Sequence, residues 1–292
     1  MLKQIAIIGA GGRMGIWFSR YLKGKAVTLL LHDINSSCLK QSKNVVVCDD
    51  LEKCVRNADL VLVCVPISEM SDTLKKCTSS MKAGAILAEI SSLKGRSFKQ
   101  LKKASKAVQP LCIHPMFGPA VNNLGLMKII LVPVIDESVE LRILEELFKG
   151  ATIGIIRDPK LHDKLMATIL GLTYFTNLAF ANFISKQDYR SLKKFSGTTF
   201  RIQSMLSMSV LIDDPDLIFS LLSENYMVSS HIHKFMIEAG KLEEYLVQKN
   251  RKKVTSLLEE IRSIYQRNNL EESYANIYRM MSSLNKNEGV VV

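Results

Sequence analysis

The chain has 292 residues, 47% hydrophobic and 23% charged, a balance that excludes a disordered or low-complexity protein and suggests about two domains. Its 39 Lys and Arg against 28 Asp and Glu give a net charge of +11 and a pI near 9.3. The basic residues are dispersed, without the basic and aromatic interleaving of a DNA- or RNA-binding module, so no nucleic-acid partner is expected and the charge better suits anionic small molecules.

The first residues pass directly into a short β-branched run at 4–8, which ends on Gly9. Without a longer apolar leader or a small-residue cleavage site, no signal peptide is expected and the chain reads as cytoplasmic. A helix is predicted over 16–23 and a second strand over 27–31, closing on His32 and Asp33. Further strands are predicted over 44–48, 60–65, 85–90, 108–113 and 128–134, with helices over 70–81 and 98–107 between them. Strands and helices that alternate, with near-continuous apolar strands, imply an α/β fold: an N-terminal Rossmann-type, doubly wound parallel sheet covered on both faces.

The pattern changes after Asp158-Pro159. Strand-like runs stop and helical periods cover 161–184, 218–239 and 242–265, with Gly240 and Asn268-Asn269 read as interruptions or helix ends. The expected domains are therefore 1–158 and an all-helical 159–292, with 285–292 as a frayed tail. No apolar run approaches the roughly 20 residues of a membrane span. The most apolar stretch, 165–184, carries Thr168, Thr173, Thr176, Asn177 and Asn182. It reads as the core of a domain or of a homodimer, not as a membrane element. The cysteines, Cys38, Cys48, Cys54, Cys64, Cys77 and Cys112, show no C-x-x-C pairing and no histidine companions. Reduced, mostly buried thiols and no metal site are expected.

The strongest local motif is Gly9-Ala10-Gly11-Gly12-Arg13-Met14-Gly15, between a strand and a helix. Small residues there let the backbone turn tightly and approach a pyrophosphate at the helix N-terminus, the pattern of a dinucleotide site. Asp33, ending the second strand, suits the ribose hydroxyls and disfavours a 2′-phosphate, so NAD is expected over NADP, with His32, Lys40 and Lys43 leaving some NADP use open. Val65-Pro66 and Ser91-Ser92 end two later strands, where an open parallel sheet places its ligand crevice; Val65, Pro66 and Ser91 are assigned to the cofactor side. His114 caps another strand, held by Pro115 and Pro119 after it, and its neutral imidazole can take a proton from a hydroxyl near pH 7.

The run His114-Pro115-Met116-Phe117-Gly118-Pro119, with the glycine turn before it, resembles the prephenate dehydrogenase family. The resemblance extends to Ser91-Ser92-Leu93-Lys94, to Leu161-His162-Asp163, and to Phe200-Arg201-Ile202 followed by Asp214-Pro215. It implies NAD-dependent oxidative decarboxylation of prephenate to 4-hydroxyphenylpyruvate, in tyrosine synthesis, by a dinucleotide-binding domain and a helical substrate and dimerisation domain. By the same resemblance His114 binds the ring hydroxyl, Ser92 orients the histidine and hydroxyl, and Arg201 holds a substrate carboxylate. Two positions depart from the pattern. Ala120 stands where many members have an acid, and Tyr174 stands where a substrate-side histidine is common. Arogenate is thus an alternative substrate. Another hydroxyacid or imine dehydrogenase, and a non-catalytic NAD-binding regulator, are the remaining readings; His114 argues against the first, and His114, Ser92 and Arg201 together against the second.

Overall fold

A computed structural model describes residues 2–23, 25, 27–122, 124–265 and 267–287. The first part of the chain runs β1 (Gln4–Ile8), α1 (Arg13–Lys23), β2 (Thr28–His32), β3 (Val45–Val47), α2 (Leu51–Arg56), β4 (Leu60–Val63), α3 (Ile67–Ser80), β5 (Ile86–Glu89), α4 (Gly95–Ala104), β6 (Gln109–Pro115), β7 (Lys128–Leu131), α5 (Glu137–Leu147) and β8 (Thr152–Ile155). It continues as α6 (Pro159–Met166), α7 (Thr173–Ile184), α8 (Tyr189–Phe195), α9 (Thr198–Ser209), α10 (Pro215–Ser223), α11 (Tyr226–Val247), α12 (Arg251–Ile264) and α13 (Arg267–Asn287). Two compact units result: residues 1–170 with 215–227, and residues 171–214 with 228–292. Asp158-Pro159, the expected domain boundary, is the start of α6, where the Asp158 carboxylate caps the Lys160 N–H and Pro159 fits the first turn.

In the first unit eight strands form one sheet in the order β3-β2-β1-β4-β5-β6-β7-β8. The pairs from β3 through to β6 are all parallel, as expected. Alternate residues of the central strands feed two cores: Ile5, Ile7, Leu60 and Leu62 pack on one face, and Ala6, Ile8, Val61 and Val63 on the other.

The sheet is not parallel throughout. β7 runs antiparallel to β6, with Ile113 opposite Leu131, and β8 then pairs parallel with β7. Among its described residues the β6–β7 link, 116–127, holds a short 3-10 turn at Leu124–Leu126 and no crossover helix, and β7 runs back along β6. β8 had no counterpart among the predicted strands; it is a four-residue edge strand with Gly154 inside it and no fully buried residue.

The second unit is helical. α7 and α9 are tied by a polar cluster in which Asn177 Oδ1 accepts from Gln203 Nε2 (3.2 Å) and Ser207 Oγ (3.1 Å). α11 passes through Gly240 without a break, contrary to the sequence expectation. One interior glycine costs a helix about 1 kcal/mol, which a helix of 22 residues absorbs. Asn268-Asn269 fall in the first turn of α13, which continues to Asn287, so the expected tail is helical as far as that residue and 288–292 lie outside the described residues. Residues 159–184 form one helical run, π-type over Ala167–Leu172, long and apolar enough to cross a bilayer by length and composition, with 17% of its most apolar window buried.

The six cysteines are all free: Cys54, Cys77 and Cys112 buried, Cys48 and Cys64 half-buried, Cys38 exposed. Burial pushes the Cys77 thiol up to about 12, and Cys54, Cys64 and Cys112 are also raised, so these buried sulfurs are inert thiols.

Candidate active site

Because β2, β1, β4, β5 and β6 are parallel neighbours, the motifs that follow these strands all lie at the same edge of the sheet. Gly9 follows β1, Asp33 follows β2, Val65-Pro66 follow β4, Ser91-Ser92 follow β5, and His114 lies near the end of β6. Three strand spacings, roughly 14 Å, separate the glycine strand from the histidine strand. The strand order reverses between β1 and β4, the switch point at which open α/β sheets bind ligands.

The glycine turn is built for close approach. Gly9 has φ +80°, and a Cβ there would come 2.6 Å from the Cys64 carbonyl oxygen and 3.1 Å from a Val65 methyl. A Cβ on Gly15 would overlap the Gly9 carbonyl oxygen, so α1 can start directly against the turn. The His32 carbonyl accepts the Gly9 (2.9 Å) and Ala10 (3.1 Å) N–H groups, and Gly12 N–H donates to Gly9 O (3.2 Å). Asp33 Oδ2 accepts the Gly11 N–H (2.8 Å) and its Oδ1 accepts the Asn35 N–H (3.0 Å), which fixes the carboxylate beside the turn. Arg13 is exposed and Met14 half-buried in the first turn of α1. The backbone cradle, the adjacent α1 N-terminus and the anchored acid fit a dinucleotide.

Ser91 is buried; its N–H donates to Glu89 Oε2 (2.7 Å) and its Oγ accepts the Leu93 N–H (3.3 Å). That turn leaves Ser92 half-buried at the strand end.

His114 is 3% exposed, and its Nδ1 lies 3.0 Å from Nε2 of His162, which is fully buried on α6. His162 Nδ1 is 2.9 Å from Asp163 Oδ1. The Asp163 carboxylate also accepts the Lys94 N–H (2.8 Å) and the Gly95 N–H (2.9 Å) at the start of α4. Beneath the histidines lies a wholly buried ion pair: Lys94 Nζ donates to Glu89 Oε1 (2.7 Å) and to the Ile113 carbonyl (2.6 Å). Burial first, then the Lys94 ammonium and the second imidazole, holds His114 well below its ordinary value of 6.5. Burial also lowers His162, and Lys94 adds to this, against the opposing pull of Asp163. A neutral imidazole on a strand end beside a glycine turn can accept a proton from a hydroxyl.

Sequence reasoning singled out His114 without these supports. His162, Asp163 and Lys94 stand inside motifs quoted above and Glu89 just before one, but their contacts join residues up to 69 positions apart, and no local pattern announces them.

Arg201 and Tyr174 belong to the second unit. Arg201 is half-buried on α9; Tyr174, half-buried on α7, donates its hydroxyl to Asp213 Oδ2 at 2.7 Å. Among the described residues no group of three or more His, Cys, Asp or Glu side chains is placed to hold a metal ion.

Residues 18–153 match the family model described as "Prephenate dehydrogenase, nucleotide-binding domain", and residues 158–260 match "Prephenate dehydrogenase, dimerization domain". The chain is 24% identical over 268 residues to the "Probable arogenate/prephenate dehydrogenase" of Methanocaldococcus jannaschii, covering 88% of this chain and 59% of that protein. It is 26% identical over 184 residues to the "4-amino-4-deoxyprephenate dehydrogenase" of Streptomyces pristinaespiralis, covering 61% of this chain and 62% of that one. The chain thus spans about three fifths of the length of these relatives. In fold it is similar to the prephenate dehydrogenase of A. aeolicus, crystallised with hydroxyphenyl propionate and NAD+, with a TM-score of 0.71 at 18% identity over 90% of this chain and 96% of that one.

Proposed function

The chain belongs to the prephenate dehydrogenase family, and from that premise we propose that it catalyses NAD-dependent oxidative decarboxylation of prephenate to 4-hydroxyphenylpyruvate. The observation that carries the reading is the buried, neutral-leaning His114 on the same sheet edge as the glycine turn.

The turn Gly9 to Gly15 would hold the pyrophosphate and Asp33 the ribose hydroxyls, with Val65, Pro66 and Ser91 on the nicotinamide side. The nicotinamide, when bound, supplies the hydride acceptor. His114 takes the proton of the ring hydroxyl as the carbinol carbon is oxidised. As the ring carboxylate leaves as CO2, its bonding pair flows through the ring to the oxygen, and the same imidazole returns the proton to the phenol. Atoms and charge balance with one hydride removed and one CO2 released. Ser92 orients the hydroxyl, and Arg201 holds a substrate carboxylate through its planar, bidentate fork. Loss of CO2 and aromatisation drive the reaction, so the protein's part is orientation, a base and exclusion of water.

Tyr174 is assigned to the substrate side chain. Its bond to the Asp213 carboxylate favours a second reading, arogenate, whose ammonium group suits a neighbouring acid. Purified protein with NAD and either prephenate or arogenate, followed by absorbance of the reduced cofactor, tests both readings. No reduced cofactor from either substrate would overturn the assignment.

A further inference from the structure

Two side chains stand behind the reacting imidazole and form with it a directional chain, Asp163 to His162 to His114, and the direction has a chemical consequence. Asp163 presents carboxylate oxygens that already accept two backbone N–H groups, from Lys94 and Gly95. An ionised carboxylate only accepts, so the proton between Asp163 Oδ1 and His162 Nδ1 sits on the nitrogen. With Nδ1 protonated, a neutral His162 has its lone pair on Nε2, the atom 3.0 Å from His114 Nδ1. Two lone pairs cannot face each other at that distance, so His114 carries its proton on Nδ1 and its lone pair on Nε2. Complete burial of His162 beside the Lys94 ammonium opposes the alternative, a charged His162 that would hand His114 the opposite tautomer.

We propose that His162, oriented by Asp163, is a positioning residue that fixes the tautomer of His114 and so makes Nε2 its proton-accepting atom. The proposal rests on the reading of His114 as the base. It assigns the pair a part like that of an acid behind a catalytic histidine, where the wrong tautomer costs far more rate than binding. When His114 takes the substrate proton on Nε2, its Nδ1–H already points at an acceptor. The developing positive charge is therefore shared toward Asp163 through His162.

The test uses 15N-histidine-labelled full chain, in which five histidines are assigned with the aid of His114→Asn and His162→Gln. Without any substrate, His114 is expected to show a pyrrole-type Nδ1 and a pyridine-type Nε2 at neutral pH. A pyridine-type Nδ1 on His114 would overturn the proposal, whether or not the protein turns over prephenate. His162→Leu, which removes the acceptor while filling the space, is expected to mix the two tautomers and lower kcat at least about tenfold, with KM nearly unchanged. His162→Gln keeps a carbonyl oxygen that can accept the Nδ1–H, and is expected to restore the single tautomer and most of kcat. Loss of activity in Leu and Gln variants alike, with the His114 tautomer unchanged in both, would make His162 a packing residue only. A wild-type chain with the expected tautomer but no turnover would sink the functional reading and leave the tautomer assignment standing.

Discussion

The ammonium of Lys94 lies 2.7 Å from a carboxylate oxygen of Glu89, and neither side chain has any solvent exposure. Lys94 also donates to the Ile113 carbonyl, one residue before His114, while Glu89 accepts from Ser91 N–H and from the Cys112 thiol at 2.9 Å. The pair thus joins the ends of β5 and β6. Removing one partner strands the other charge in a dry site, whereas removing both does not. Lys94→Met is expected to cost roughly 3–5 kcal/mol of unfolding free energy. Glu89→Gln with Lys94→Met should recover most of that loss. Urea unfolding of both single variants and the double variant measures this, and simple additivity of the two losses would contradict the coupling.

The histidine pair makes stability depend on pH. His114 and His162 are both held below the ordinary value of 6.5, so between that value and their folded values the unfolded chain binds more protons than the folded one. Stability is therefore complete above about pH 6.5 and declines as pH falls below it, by up to roughly 1.4 kcal/mol per pH unit for each histidine. Urea unfolding at several pH values between 5 and 7.5 should show this slope, and His114→Asn should reduce it. The acid limb of kcat/KM should also lie below the value of an ordinary histidine.

Binding and chemistry should separate between Arg201 and His114. His114→Asn keeps a polar side chain but removes the base, and kcat is expected to fall about 100-fold or more with a modest change in KM. Arg201→Gln removes a charge-assisted contact made in ground and transition states alike, so a raised KM should dominate. Near-normal turnover by His114→Asn would exclude the mechanism; an unchanged KM in Arg201→Gln would exclude only the carboxylate assignment.

Cofactor choice should follow Asp33. Its carboxylate is fixed against Gly11 N–H, beside the turn, where a 2′-phosphate would meet its charge. NAD is expected to be preferred at least about tenfold in kcat/KM, equivalent to about 1.4 kcal/mol. Asp33→Asn should narrow the ratio. Equal use of both cofactors by the unmodified chain would remove Asp33 from the ribose site.

The helical unit is expected to form a homodimer. Phe183, Phe195, Leu206, Leu211 and Ile212 are each more than half exposed within one chain, apolar surface that a second copy would cover. The match of 158–260 to a dimerization domain points the same way. Light scattering at micromolar concentration should give twice the 32.8 kDa chain mass. A monomer mass would refute the expectation.

The sequence by itself determined the alternation of strands and helices, the glycine turn with its acid, the strand-end histidine and the helical character of the second half. Each is carried by residues close in the chain: apolar runs of strand length, small residues where no Cβ fits, a strand-end histidine followed by two prolines. The failures were also local. Four residues with an internal glycine were too weak a pattern for β8, and Gly240 was too strong a signal for a helix whose length outweighs one glycine. Reversal of β7 was hidden because strand direction depends on where a connection returns, not on the strand's own residues. Tertiary structure alone decided what stands behind His114. The Glu89–Lys94 ion pair and the Asp163–His162–His114 chain are made by side chains from β5, β6, the start of α4 and α6, brought together by burial. Charge and tautomer at a buried site are set by what surrounds it in space, and a sequence orders its residues only along the chain.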